Sequence, residues 1–405
     1  MSENSGQKNA IITDPQKVDE ILNRGTEDIF IREHLREALL SGIELRVKLG
    51  IDPTSPDIHL GRTVALRKLK AFQDLGHKAV LIIGDFTAKI GDPSDKLEKR
   101  PMLTDIEIKK NLKNYLKQIG LIVDLSKAEI RYNSEWLRSM DYLETAKLLE
   151  CFTVQQMSKR RNFRERMEHG QDVFVVEFMY PALQGYDSPK VNADVEIGGF
   201  DQLFNLKAGR TVQKRYGQKE QDIMTVSMIE GADGRKMSSS WGNIISLEDS
   251  NEDMFGKIMA LKDDLIIKYF TLCTDAPFED ISNLKKELES GVNPKDIKMK
   301  LAYEIVKMYH GEENAGEAQE NFENTFSKGG APEDVLEANV ATGTPLADVL
   351  LAEKIVISKT EFRRLISEGA VTIMETNTKI TDPETIVSSG VYKIGKRRFI
   401  KIKVL

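Results

Sequence analysis

Cysteine is nearly absent from this sequence. Cys151 and Cys273 are the two it has in 405 residues, and neither belongs to a CxxC pair. Such usage argues against a zinc site or a disulfide framework and fits a reducing, cytoplasmic setting. Long apolar runs are missing too. A stretch such as Ala79–Ile83 is far too short to cross a bilayer, so no membrane partner is expected. The opening, MSENSGQKNAIITDP, is polar and lacks the apolar centre of a signal peptide. No internal repeat or low-complexity tract interrupts the chain. With 40% hydrophobic and 30% charged residues it reads as soluble and globular, long enough for roughly two to four domains.

Charge is unevenly spread. The formal net charge is −6, yet Leu351–Leu405 carries 11 Lys and Arg against 6 Asp and Glu. An acidic body with a basic C-terminal module suggests that the tail meets a polyanion; a solvated basic face is the plainer alternative.

Residues 1–30 read as a helical lead-in. LRVKLGID (45–52) alternates and runs into a Pro-rich loop, as a strand and its exit turn do. His59–Gly76 has helical spacing, and Ala79–Gly84 reads as a buried parallel strand. The opening is therefore a βαβ unit of a doubly wound, Rossmann-like sheet. Residues 104–190 read as a mainly helical insertion. Asp194–Gly217 gives a strand, a Gly-Gly turn and a helix, and Asp222–Ile229 a further strand. Residues 250–328 read as helical. The expected domains are 1–232 (α/β catalytic sheet with its insertion), 233–330 (a Lys-Met-Ser loop and an α-helical domain), a linker at 331–345, and a small α+β module at 346–405.

Two segments invite phosphate. Asp52-Pro-Thr-Ser-Pro-Asp-Ile-His-Leu-Gly-Arg62 joins a strand to a helix, where doubly wound sheets bind ligands. The helix start offers free N–H groups, Gly61 lets a flat ring approach the backbone, and Thr54 and His59 can donate to phosphate oxygens. Alone, the segment is equally a polar turn before a helix. Gly231-Ala-Asp-Gly-Arg-Lys-Met-Ser-Ser-Ser240 is a second candidate: Lys236 supplies a flexible cation, and Ser238 and Ser239 weak donors. Alone, it is equally a Ser-rich surface loop. Together, in this order and each following a strand, they point to one nucleotide site. A third segment, Tyr180-Pro-Ala-Leu-Gln-Gly-Tyr-Asp187, has Pro181 suited to a first helical turn. Tyr180, Gln184 and Asp187 then share a face, able to hold an ammonium at one end and a phenol at the other. An ordinary polar helix start would look the same.

The two nucleotide segments resemble the HIGH and KMSKS signatures of class I aminoacyl-tRNA synthetases. The Tyr180 segment, Gly84-Asp-Phe-Thr-Ala-Lys-Ile-Gly-Asp-Pro-Ser94 and Ile197-Gly-Gly-Phe-Asp-Gln202 resemble tyrosyl-tRNA synthetases of the bacterial type with a C-terminal S4 domain, from about residue 30 to the end. The resemblance implies a homodimeric tyrosine–tRNA ligase using ATP with Mg²⁺. By that match Asp92, Tyr180 and Gln184 bind the tyrosine ammonium. Asp187 accepts from its phenol, and Gln202 sits by its carboxyl end. Asp52 lines the adenylate and Asp201 holds the ribose. Thr54 and His59 meet the γ-phosphate, with Gly61, Arg62, Lys236, Ser238 and Ser239 around the nucleotide. Lys96 and Arg100 match the family's mobile-loop cations. No residue set is assigned to a metal. Phenylalanine would leave the Asp187 carboxylate unpaired, a discrimination by lost hydrogen bonding, and no extra domain is large enough for editing.

Three positions depart from the pattern. Arg62 replaces the last histidine of HIGH, and Ser239 the second lysine of KMSKS. Lys48 stands where shorter bacterial enzymes place a tyrosine against the phenol, open to pairing with Asp187. In the tail, Ser358 caps an expected helix exposing Arg363 and Arg364, and a basic strand holds Lys396, Arg397 and Arg398. Both resemble an S4 module that contacts tRNA. The run Lys159–Arg166 is a second basic face, in the region that in this family forms the dimer interface and approaches the tRNA acceptor end. Three rivals stay open: a tryptophan-specific relative, a small-molecule nucleotidyltransferase without the late loop, and a non-catalytic RNA-binding paralogue.

Overall fold

A computed structural model describes residues 10–94, 102–324, 336–374, 376, 378–395 and 398–404. They fall into two compact units. The first runs to Asp249 and includes Lys257–Leu301; the second is Ser250–Gly256 with Ala302 onward. The division therefore falls inside the expected helical domain, away from residue 232.

The first unit is built on a six-stranded sheet: β1 (Thr26–Phe30), β2 (Arg46–Ile51), β3 (Lys78–Ile83), β4 (Glu129–Tyr132), β5 (Val195–Gly199) and β6 (Asp222–Val226). Their spatial order is β1-β6-β5-β2-β3-β4. β2, β3, β4, β5 and β6 are mutually parallel, and β1 closes one edge antiparallel to β6. β3 and β6 are almost continuously buried, as strands covered on both faces must be. After β2 the chain moves outward through β3 and β4, then returns to β2's other side with β5. A crevice opens between β2 and β5 at that reversal, at the carboxyl ends of the strands.

Two helices pack closely beside the crevice, Val175–Val191 and Leu203–Arg215. A Cβ on Gly185 would lie 3.0 Å from the Ala208 carbonyl, so glycine sets how near the backbones come.

Three expectations change. Residues 26–30 are a strand instead of helix, paired antiparallel with β6. The 104–190 stretch contains β4, whose four half-buried residues are too few to show a period. Pro181 lies inside the Val175–Val191 helix instead of in its first turn. The helix tolerates it at the loss of one backbone donor.

In the second unit, β7 (Glu337–Val340), β8 (Val371–Ile373), β9 (Thr378–Lys379), β10 (Gly390–Ile394) and β11 (Arg398–Val404) form a sheet of order β7-β11-β10-β8-β9. It packs with the helices Leu346–Ala352 and Lys359–Ser367 around Leu350, Phe362, Tyr392 and Ile400. β7 occupies residues expected to be linker; the linker's 331–335 lie outside the described residues.

Candidate active site

The crevice holds a cavity of about 260 Å³. Its walls come from the loops after β2, β3, β5 and β6 and from the Val175–Val191 helix. Asp52, Thr54, His59, Gly61, Arg62, Asp92, Tyr180, Gln184, Asp187, Asp201, Gln202, Lys236, Ser238 and Ser239 all line it.

Asp52 follows β2 directly. Its Oδ1 accepts from Thr87 Oγ1 at 2.7 Å and its Oδ2 from the Tyr180 hydroxyl at 2.8 Å. Burial pushes its carboxyl up to about 6, against the two hydrogen bonds. The carboxylate fits only because residue 84 is glycine: a Cβ there would sit 1.9 Å from Asp52 Oδ1. Because Tyr180 spends its proton on Asp52, its oxygen faces the cavity as an acceptor.

His59 starts the Leu60–Asp74 helix without capping it, and its ring lies against Gly61, where a Cβ would be 2.9 Å from Nδ1. Burial, with the neighbouring cations Arg62 and Lys236, lowers it to about 3, so the imidazole is neutral. Arg62 is not free to stand in for a second histidine. It donates to Thr54 Oγ1 at 2.8 Å, to the Asp52 carbonyl at 3.2 Å and to the Tyr115 hydroxyl. Lys236 reaches across to Asp201 Oδ2 at 2.7 Å, and Gly61 N–H meets Met237 Sδ at 3.3 Å. The two nucleotide segments are thus in contact.

Asp92 is the anionic end of the amino-acid side. Burial pushes its carboxyl up, but Arg160, both Ser94 donors and Gln202 outweigh that and hold it below the usual range. Gln202 Nε2 donates to its Oδ2 at 2.7 Å. Asn205 Nδ2 donates to the side-chain oxygens of Gln184 and Gln202, Oε1 in each, at 3.0 and 2.9 Å. Asp187 is buried and accepts from Trp136 Nε1 at 2.8 Å. Burial raises it to about 7, although Lys48 and Trp136 oppose the rise. Asp92, held ionised, and the buried carboxyl of Asp187 line the same cavity with Tyr180 and Gln184, a set of acceptors that suits a substrate with an ammonium and a phenol.

The profile described as tRNA synthetases class I (W and Y) matches residues 41–327. A tyrosine–tRNA ligase of Thermotoga maritima is 45% identical over 393 residues, spanning 96% of this chain and 98% of that relative. One from Carboxydothermus hydrogenoformans is 44% identical over 399 residues, spanning 95% and 97%. This chain belongs to the tyrosyl-tRNA synthetases. It is a class I aminoacyl-tRNA synthetase, and its reaction is tRNA aminoacylation. The fold agrees with solved tyrosyl-tRNA synthetases. One from Archaeoglobus fulgidus, complexed with L-tyrosine, has a TM-score of 0.61 at 24% identity, covering 76% of this chain and 100% of that one. A truncated mitochondrial one from Aspergillus nidulans has 0.64 at 21%, covering 76% and 94%.

Lys48 departs most from expectation in this synthetase. It does not pair with Asp187 and does not line the cavity. Its Nζ lies 2.9 Å from Glu196 Oε1, both side chains fully buried. Lys96 and Arg100 lie outside the described residues, as do Lys396 and Arg397. In the C-terminal module Arg363 and Arg364 are exposed, paired loosely at 3.7 Å with Glu384 and Glu368. Arg398 instead ties β11 to Glu361 at 2.9 Å and to the Ile355 carbonyl. Thr87, Asn133, Trp136, Glu196 and Asn205 surround the site without having been singled out, and Arg160, read as part of a basic face, is instead buried 3.5 Å from Asp92 Oδ1. Gln184–Glu196 is bridged at 3.3 Å, but no local sequence signal links a helix residue to a strand residue across a turn.

Proposed function

We propose that this chain activates L-tyrosine with ATP to tyrosyl-adenylate, releases pyrophosphate, and transfers the tyrosyl group to the 3′ end of tRNA(Tyr). The observation that carries the residue roles is a single cavity lined by the His59 turn, the Lys236 loop and the Tyr180/Gln184/Asp187 face. No protein nucleophile is needed. The tyrosine carboxylate attacks the α-phosphate, the P–O bond to pyrophosphate breaks, and a ribose hydroxyl of tRNA then displaces AMP from the acyl carbon. The protein positions the reactants and stabilises charge.

Asp92, Tyr180 and Gln184 accept from the ammonium, Asp187 from the phenol, and Gln202 borders the carboxyl end. Asp201 takes the ribose hydroxyls, which frees Lys236 from its ion pair to follow the triphosphate with Ser238 and Ser239. Neutral His59 and Thr54 donate to the γ-phosphate, Thr54 held in place by Arg62. Among the described residues no three acidic, His or Cys groups converge to hold a metal. Mg²⁺ fits best as part of the ATP substrate, carried on the phosphates. A second copy of the chain is the partner that membership of this family implies. No helix among the described residues is long and apolar enough to cross a membrane, which is compatible with work in the cytoplasm.

Tyrosine-dependent ATP–pyrophosphate exchange tests the reading. Exchange with tyrosine, little with phenylalanine or tryptophan, and weakening by Asp187→Asn are expected. A folded protein with no exchange for any amino acid would remove the catalytic reading.

A further inference from the structure

β2 and β5 flank the crevice, and Lys48 faces Glu196 directly in their register. Neither side chain has any exposure, and neither lines the cavity. All three ammonium protons of Lys48 are used: on Glu196 Oε1 at 2.9 Å, on Ser188 Oγ at 2.9 Å and on the Gln184 carbonyl at 3.2 Å. Glu196 in turn accepts from four donors. Lys48 and Gln184 Nε2 (3.3 Å) reach Oε1; Ser188 Oγ (3.3 Å) and Gln221 Nε2 reach Oε2. Space for this comes from Gly209, where a Cβ would stand 2.6 Å from Ser188 Oγ and 3.0 Å from Glu196 Oε2.

A buried ion pair is a poor source of stability, since well-packed apolar residues of similar volume often do as well or better. What this pair does is fix an amide. Gln184 is a cavity residue whose side chain can face either way round. Glu196 accepts only, so it takes the amide nitrogen. Asn205 Nδ2 donates to the other end, Gln184 Oε1, at 3.0 Å. The remaining lone pair of Oε1 is thereby presented as an acceptor. With the amide reversed, a nitrogen donor would meet an ammonium and repel it.

We propose that Lys48 and Glu196 are positioning residues for amino-acid recognition, locking Gln184 as an acceptor for the substrate's ammonium group. The inference rests on the assignment of Gln184 to the tyrosine ammonium. It gives Lys48 a task unlike that of a phenol contact.

The test compares the KM for L-tyrosine in pyrophosphate exchange with the inhibition constant of 3-(4-hydroxyphenyl)propanoate, the same molecule without its ammonium. Lys48→Met with Glu196→Leu keeps the core neutral and filled but leaves Gln184 Nε2 without its acceptor. Tyrosine KM should rise about tenfold or more, as for loss of a hydrogen bond to a charged group, while the analogue's constant and the KM for ATP change less than about twofold. Lys48→Met with Glu196→Gln restores an oxygen opposite Gln184 and should recover most of the loss. If tyrosine and analogue weaken together, or neither moves, the pair is core structure and the inference is overturned. Gln184→Leu separates the two levels. Should it fail to distinguish tyrosine from the analogue, the ammonium assignment itself is wrong.

Discussion

Asp187 has a protonation state that decides both binding and stability. Its carboxyl is raised to about 7 by burial, so in the free protein it is partly protonated at neutral pH. A neutral acid accepts from a phenol more weakly than a carboxylate does. The kcat/KM for tyrosine should therefore fall as pH drops through about 7, because that parameter reports the free enzyme. Asp187→Asn should abolish this limb and lower kcat/KM about 10–100-fold. Stability should move the other way. The folded state holds this proton more tightly than the unfolded chain, so the carboxyl's contribution falls as pH rises from about 4 to about 7. At pH 8 the neutral asparagine still accepts from Trp136 and should melt about 2 °C or more above the parent. A melting temperature that drops at pH 8 would mean that the ionised form is well solvated. Much of the site at this scale was readable from sequence, since Thr54, His59 and Lys236 sit in compact motifs and Tyr180, Gln184 and Asp187 share one helix face. The partner of Lys48 was not. Glu196 lies across a strand pairing, and a pairing cannot be known before the strand order is.

The turn after β3 shows how little slack the elements leave. Gly84 follows that strand beside Asp52, and a methyl there would lie 1.9 Å from Asp52 Oδ1 and 2.4 Å from Thr87 Oγ1. Both contacts are short side chains pinned by a mutual hydrogen bond, so neither can swing clear. Gly84→Ala should displace Asp52 and with it Tyr180, cutting pyrophosphate exchange about 100-fold or more, while circular dichroism stays that of a folded α/β protein. Retained activity would show that the β3 turn relaxes instead. Elements with a strong period or a continuous apolar run, the Leu60–Asp74 helix and β3, were legible in advance. β1 and β4 were not, because short sheet-edge strands, only partly buried, carry neither signal.

Over the whole chain, net charge overstates the basic surface offered by the C-terminal module. Lys401 and Lys403 both lie 2.6 Å from Glu337, and these two cations hold its carboxyl down at about 2. Arg398 is engaged with Glu361. Arg363 and Arg364 remain the exposed arginines on the Lys359–Ser367 helix, their ion pairs long enough to be exchanged for phosphates at small cost. If that helix meets RNA, reversing both charges with Arg363→Glu and Arg364→Glu should weaken tRNA(Tyr) charging selectively. The kcat/KM for tRNA should fall about tenfold or more near 0.1 M salt, and its salt dependence should become shallower as fewer counterions are released. Tyrosine-dependent pyrophosphate exchange, which needs no RNA, should keep its parent rate. If charging survives unchanged, the helix is a solvated face. If exchange falls alongside charging, the second unit supports the catalytic one in some way other than by holding RNA.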